Sequence, residues 1–551
     1  MRHKDNRSFP GEIIKRFPIQ EYWFYLILFL LASLAAIMMI YDMEWGPWAF
    51  SDSAAYISAA RNLVAGNGLS VPTPEGGFTP LTLHQPLFPL VLSFFLLFDI
   101  HPFTTTTVLN IACFSLSILF LGTGCYYFSK SKVFSLVVVI LLMWCPQIIE
   151  NFDGAMSEPL YLFLTILTFF LILVYVEQKH LLILILAALC AGFSILTRYI
   201  GVVNLAAGVI ILFGLVQENV RNRLLKTSLF AGIAILPQFV WFLFSAGSGT
   251  PGSRQIIFPD KLIRTFENFW EGVRITLSAW LPIERTWQIN DEIRTWIVIF
   301  FGIFILFSLV LATYFFWKKK KNFFERFERL IFSAAIIAFI YLLIFFITFA
   351  FSSIPPDINS RTLIPLLPFF LIILYGILFQ YPRTHLEKSI AGIMILTLFS
   401  ISFLVWYPTS RELLYDRHHN GHGYTSKYYQ ESTVLNASRD LPKNIPWISN
   451  EPAFFLLYLN KFPYDLSTIY PSLILPGLKA LGNSETDLDH VFREKGAALI
   501  LLQPQLENDL RKLIGDQAPD QIEKLIQGLD IHDQSFDGLI LFDPKSNQHR
   551  E

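Results

Sequence analysis

Apolar runs of membrane-crossing length recur eleven times along this chain, at about 22–41, 105–127, 133–149, 158–176, 181–197, 199–216, 228–245, 295–317, 330–351, 362–380 and 388–407. A helix needs about 20 apolar residues to cross the hydrocarbon core of a bilayer. Its backbone must also satisfy its own hydrogen bonds there, which leaves helices or closed barrels. Runs of this length predict helices. The chain is 54% hydrophobic and only 15% charged, against about 25% charged in soluble domains. These figures exclude a single-domain soluble enzyme, a disordered protein and a nucleic-acid binder. The net charge of -1 provides no global field for a polyanion. The four cysteines, Cys113, Cys125, Cys145 and Cys190, all lie inside apolar runs and read as small core residues.

Lysine and arginine near span ends mark the cytoplasmic side. The basic or charged segments are 2–16, 129–132, 177–180, 217–226, 318–329 and 382–388. Eleven spans with the N-terminus inside bring all of them to the cytoplasmic face. A further apolar stretch at 86–98 is only 13 residues long. If it crossed, the lysine run at 318–321 would fall outside, so it is expected to lie in the outer interface. The first apolar run is a full-length span rather than a cleaved signal peptide.

The expected layout is a cytoplasmic segment (1–21), a transmembrane module (22–407) with an external loop (42–104), and an external C-terminal part (408–551). That last part carries 14 basic and 20 acidic residues, while the remainder is net positive. Strand patterns at 447–449, 497–502 and 538–542, with helical patterns around 453–459 and 506–514, predict a small α/β domain.

Four ionisable residues stand out on the external side. Asp52 precedes a predicted helix over 53–65, where the plain alternative is an N-cap. Glu158 opens the fourth span behind Ser157, where a cap and a favourable helix dipole are the alternatives. Arg198 lies between two spans, a costly place for a charge unless it is paired, snorkelling or functional. Arg361 starts a later span, with Asp357 one helical turn before it as a simple partner. Two external carboxylates can deprotonate an acceptor or hold a divalent cation, and two guanidinium groups suit a lipid phosphate. His418, His419 and His422 follow the last span, and a solvated juxtamembrane loop explains them more simply than a metal site.

Taken in order, these pieces resemble the GT-C superfamily of polyprenyl-phosphate-dependent glycosyltransferases. The similarity is to glycosyltransferase family 39 and its relatives, including protein O-mannosyltransferases and the lipid A aminoarabinose transferase. It covers about 20–405. The residues that carry it are Asp52, Tyr56, Ala60, Leu63, Gly66 and Gly68, then HQPLFP from His84, MSEPLYLF around Glu158, LTRYIG around Arg198 and SRTLIPLLP around Arg361. The resemblance implies a catalytic role for Asp52, a second acid at Glu158, a carrier-phosphate contact at Arg198, and substrate binding by Tyr56 and His84. Relatives often have aspartate where Glu158 stands. This chain also has Asp52-Ser53 where protein O-mannosyltransferases have Asp-Glu, and His84-Gln85 where the aminoarabinose transferase has an acid and a lysine.

The expected function is sugar transfer from a polyprenyl-phosphate carrier to an outer-face acceptor, in a bacterial plasma membrane. A lipid-linked-sugar flippase or solute transporter is the alternative. That class favours broken helices and internal repeats with charges near the bilayer midplane, whereas these charges crowd the span ends.

Overall fold

The computed structural model describes residues 19–245, 257–258, 262–280, scattered positions between 292 and 299, and 325–442, 444–469 and 488–545. The expected span at 295–317, the lysine run, the basic N-terminal segment and most of the loop 246–294 lie outside the described residues. Among those described, seven helices are long and apolar enough to cross a membrane. They are Glu21–Asp42, Pro102–Ser129, Glu158–Gln178, Val220–Ser245, Arg326–Phe351, Ser360–Gln380 and His385–Asn420. The run at 133–149 becomes two helices, Lys132–Met143 and Pro146–Phe152, bent by 63° where Pro146 interrupts the ladder. Leu87–Leu96, Leu181–Thr197 and Tyr199–Leu215 are shorter apolar helices. This is an integral, multi-pass membrane protein.

Burial ranks the helices. Glu158–Gln178 and Ser360–Gln380 are the most enclosed, each with 72% of its apolar window buried, whereas His385–Asn420 has 11%. The two central helices therefore begin with Glu158 and with Ser360-Arg361, so both charges lie at one end of the bundle. At the opposite end Glu177 pairs with Arg326 and Arg329 at 3.2 Å each. There Lys179 donates to the Gln217 carbonyl and Gln380 donates to Glu325. The described parts of the charged segments 177–180, 217–226 and 318–329 thus meet in space. The last helix does not stop at residue 407. It runs through Pro408 to Asn420.

Beyond it lies a five-stranded sheet in the order β4-β3-β5-β7-β6. The strands are β3 (Trp447–Ser449), β4 (Tyr464–Asp465), β5 (Ala498–Leu502), β6 (Asp530–Gln534) and β7 (Gly538–Phe542). β3 pairs in parallel with β4 and β5, and β7 antiparallel with β5 and β6. The predicted strands appear as β3, β5 and β7, whose residues are all buried. β6 escapes the sequence pattern because it is a polar edge strand with mostly exposed residues. A separate two-stranded hairpin, β1 (Ser70–Pro72) with β2 (Phe78–Pro80), projects from the first loop.

The first loop and the C-terminal part share one core, with Ala54, Tyr56, Ile57, Ala60 and Phe88 packed in the same cluster as Phe454, Phe455, Leu457 and Ile500. The helix Ser51–Val64 lies against the helix Pro452–Leu459, and Arg61 donates to the Leu457 carbonyl at 2.5 Å. The stretch expected at the outer interface forms the helix Leu87–Leu96, which packs on the loop helix through Phe88 and Tyr56. A second contact ties the last helix to the bundle. Arg417, 5% exposed, pairs with Asp153, which is 3% exposed and accepts from the Trp48 indole at 2.5 Å. Beside them His418 stacks on Tyr41 with ring centroids 3.9 Å apart, and His419 bonds the Tyr415 carbonyl. Among the described residues no group of three or more His, Cys, Asp or Glu side chains is arranged to hold a metal ion.

Removing one partner of a buried ion pair strands the other charge and costs about 3–5 kcal/mol. Arg417→Ala should therefore lower the apparent melting temperature of the detergent-solubilised protein strongly, while Arg411→Ala, on the groove-facing side of the same helix, should leave it nearly unchanged.

Candidate active site

The loop helix begins earlier than its pattern suggests, at Ser51, with Phe50 in the cap position. Ser53, not Asp52, accepts from the Phe50 amide, at 3.2 Å. Asp52 therefore turns away from a capping role, and its Oδ2 accepts from Arg361 Nη2 at 2.7 Å. The helix ends at Val64, and Gly66 follows with φ of 86°, a backbone that favours glycine. Pro159 in the first turn helps to start the Glu158 helix. Ser157, read as a possible cap, makes no side-chain cap bond. Its hydroxyl instead accepts from Arg198 at 3.3 Å and lies 3.4 Å from both Glu158 Oε2 and the Tyr56 hydroxyl.

The four charges form a chain. Glu158 Oε1 lies 2.6 Å from Arg198 Nη1 and 2.6 Å from Arg361 Nε, and Arg361 continues to Asp52. His84 Nε2 stands 3.9 Å from the other Asp52 oxygen. Arg361 thus binds two carboxylates, and no ion pair to Asp357 forms among the described residues. Arg198 is paired at the end of its helix rather than snorkelling into solvent. Burial pushes the Asp52 carboxyl up, but the charges of His84, Arg361 and Arg198 outweigh it and hold the group below the ordinary aspartate value. Arg198 is driven the other way. Desolvation lowers its affinity for a proton, and Glu158 more than restores it. The Tyr56 hydroxyl is raised by burial and by the Glu158 charge, so it stays protonated and acts as a donor or neutral acceptor.

These residues line one cavity of about 370 Å³, which Asp52, Tyr56, His84, Arg198 and Arg361 face directly; Glu158 lies beneath the two arginines, 3% exposed. All six residues singled out in the sequence thus come together. Three further residues escaped it. Ser157 is enclosed by Tyr56, Glu158 and Arg198, and its position beside Glu158 was the available signal. Tyr341 lines the cavity from the middle of an apolar helix and donates to the Thr362 carbonyl, which holds the Arg361 turn. Tyr199 donates to the Thr82 carbonyl at 3.0 Å and so pins the segment leading to His84. Nothing in the local pattern marks Tyr341, since a tyrosine in a span reads as core.

The paired carboxylates were also candidates for a divalent cation. Glu158 Oε1 and Asp52 Oδ2 are spent on guanidinium groups. A donor set faced by two arginines suits an anion, not a divalent cation.

No family model and no curated protein sequence matches the chain. Solved structures do. The chain is similar to ArnT from Cupriavidus metallidurans in its apo state, with a TM-score of 0.53 at 11% identity over 96% of this chain and 99% of that one. It is similar to the same protein bound to undecaprenyl phosphate, with a TM-score of 0.50 at 10% identity over 95% and 98%. It also resembles the oligosaccharyltransferase AglB of Archaeoglobus fulgidus in complex with an inhibitory peptide and a dolichol-phosphate, with a TM-score of 0.51 at 10% identity over 96% of this chain and 75% of that one. At such low identity the likeness is one of architecture, and the chain shares the fold of these solved membrane proteins.

Proposed function

We propose that this chain is a membrane glycosyltransferase that moves a sugar from a polyprenyl-phosphate carrier to an acceptor on the outer face, by a single displacement with inversion. The observation that carries the reading is the chain Arg198–Glu158–Arg361–Asp52 lining and underlying one cavity at a span end. A base and two anion-binding cations are thus held side by side. The GT-C fold, and the lipid phosphates named in two of the similar structures, support it.

In this reading the acceptor hydroxyl attacks the anomeric carbon and its proton passes to Asp52. The bond from that carbon to the phosphate oxygen breaks, and the polyprenyl phosphate leaves with the electron pair. A phosphate is a weakly basic leaving group, so it needs cations more than an acid. Arg198 and Arg361 provide these. Glu158 orients both arginines and keeps the cluster neutral. Arg361 also governs the base. Its bond to Asp52 depresses the basicity of that carboxylate, and a donor phosphate competing for the guanidinium releases Asp52 as a stronger base just where the acceptor sits. Tyr56 and His84, with ring centroids 4.8 Å apart, form the wall against which the sugar lies. The interfacial helix Leu87–Leu96 shapes the carrier entrance. The site and the C-terminal part face outward in a bacterial plasma membrane.

Three outcomes follow for purified protein supplied with a panel of radiolabelled polyprenyl-phosphate sugars. Asp52→Asn should lower carrier-dependent transfer about 10²–10⁴-fold, the usual worth of a general base, with expression unchanged; full activity in that variant overturns the base assignment. Arg198→Ala and Arg361→Ala should each lower kcat/KM about 10²–10³-fold, and lysine should not restore it because a point charge does not reproduce the two-sided fork. A carboxyl held below its ordinary value stays ionised as pH falls, so activity should not decline through Asp52 protonation between about pH 8 and pH 5. An acid limb due to Asp52 within that window contradicts its depressed titration.

A further inference from the structure

A second, larger cavity of about 750 Å³ lies between the tip of the β1–β2 hairpin and the C-terminal sheet. Among its described lining residues the cations are Arg439, Lys461 and Lys495, and Glu75 is the one acid. With three cations against one acid, the described lining is electropositive. The aromatic rings of Trp447, Phe462 and Phe78 line it together with the amides of Asn444 and Asn460. Lys461 is held on the cavity wall. Its ammonium donates to the Ile445 carbonyl at 3.0 Å and stands 3.9 Å from the Trp447 ring centroid. Burial pushes its titration down to about 8, so an anion beside it restores the charge that desolvation opposes. Cations beside ring faces and side-chain amides are the chemistry of an acidic saccharide. Ring faces cover the apolar side of a sugar, amides bond its hydroxyls, and cations meet its carboxylate or phosphate groups. The volume lies within the range of ligand pockets.

The cavity is wired to the active site. Asn460, in left-handed conformation at φ of 52°, accepts from Ser58 at 2.6 Å and donates to Asn62 at 2.9 Å. Both belong to the loop helix that carries Asp52 at its start. Asp52 and Asn62 are ten positions apart on this helix, so the two sites are separated by roughly 15 Å along it. The hairpin that lines the cavity leads through Thr82 directly to His84.

We propose that this cavity holds the distal, anionic part of an oligosaccharide acceptor, whose reacting hydroxyl lies at Asp52. The proposal rests on the transferase reading above and extends it to the class of acceptor. The test measures binding of four probes to the full-length protein in detergent: tetragalacturonate, phosphorylated mannopentaose, neutral maltotetraose and inorganic phosphate. At least one acidic probe should bind ten-fold or more tightly than the neutral one. The double variant Arg439→Glu/Lys495→Glu should weaken that binding at least ten-fold with its melting temperature retained, and Arg411→Ala, in a separate groove, should leave it unchanged. Both reversed residues are exposed; should the double variant unfold, the single Arg439→Ser and Lys495→Ser variants serve instead. Equal affinity for the neutral probe, no binding of either acidic probe, or full affinity in the folded charge-reversed protein overturns the proposal. Inorganic phosphate binding as tightly as the oligosaccharides overturns its saccharide part. Acidic-probe binding without transfer from any polyprenyl-phosphate sugar is instead the failure of the transferase reading.

Discussion

Glu158 is 3% exposed, and an ionised carboxylate at that depth costs several kcal/mol unless cations and hydrogen-bond donors compensate it. Here two guanidinium groups do so at the same oxygen. Arg198 arrives from the end of one helix and Arg361 from the start of another. Neither arginine would tolerate its place without the acid, and Asp52 depends on Arg361 in turn. The cluster therefore fixes where four separate helices end relative to one another. It explains why the two most enclosed helices both begin at it, because a buried charge needs a rigid surround more than an exposed one does.

The same logic is repeated on a second axis. Arg417 meets Asp153 near the end of the last helix, and Trp48 bonds the same aspartate from the first loop. These contacts hold the loop helix at the mouth of the bundle, so that Asp52 faces Arg361. Gly154 is part of this closure, since a Cβ there would come within 2.6 Å of the Trp48 indole. The shared core of first loop and C-terminal part then backs the loop helix from behind. The carboxylate proposed here as the base is thereby given the stiffness of a packed element, which positioned proton transfer requires.

Local pattern carried much of this. Apolar runs mark helices because burial in lipid leaves the backbone few alternatives, and most described runs became helices close to their expected bounds, the run 133–149 breaking at Pro146 and the last running on to Asn420. β3, β5 and β7 were legible because both their faces are buried, while β6 was not because its composition is that of an exposed edge. Asp52, Glu158, Arg198 and Arg361 were noticeable because charges beside apolar runs are expensive and so need a reason. Ser157 and Tyr341 were not, since a serine before a helix and a tyrosine within one each have an ordinary local explanation.

What the sequence determined by itself was a many-helix membrane body, the sorting of its charges to span ends, and a polar C-terminal part with a sheet. These follow from periodicity and run length, which act over one element at a time. Only the tertiary structure decided which charges meet. Asp52 and Arg361 are 309 residues apart, and each had an adequate local partner in a helix cap or in Asp357. The local options lost because Glu158, buried by the packing of the central helix, required both arginines. A long-range electrostatic demand of that kind exists only once the helices are assembled.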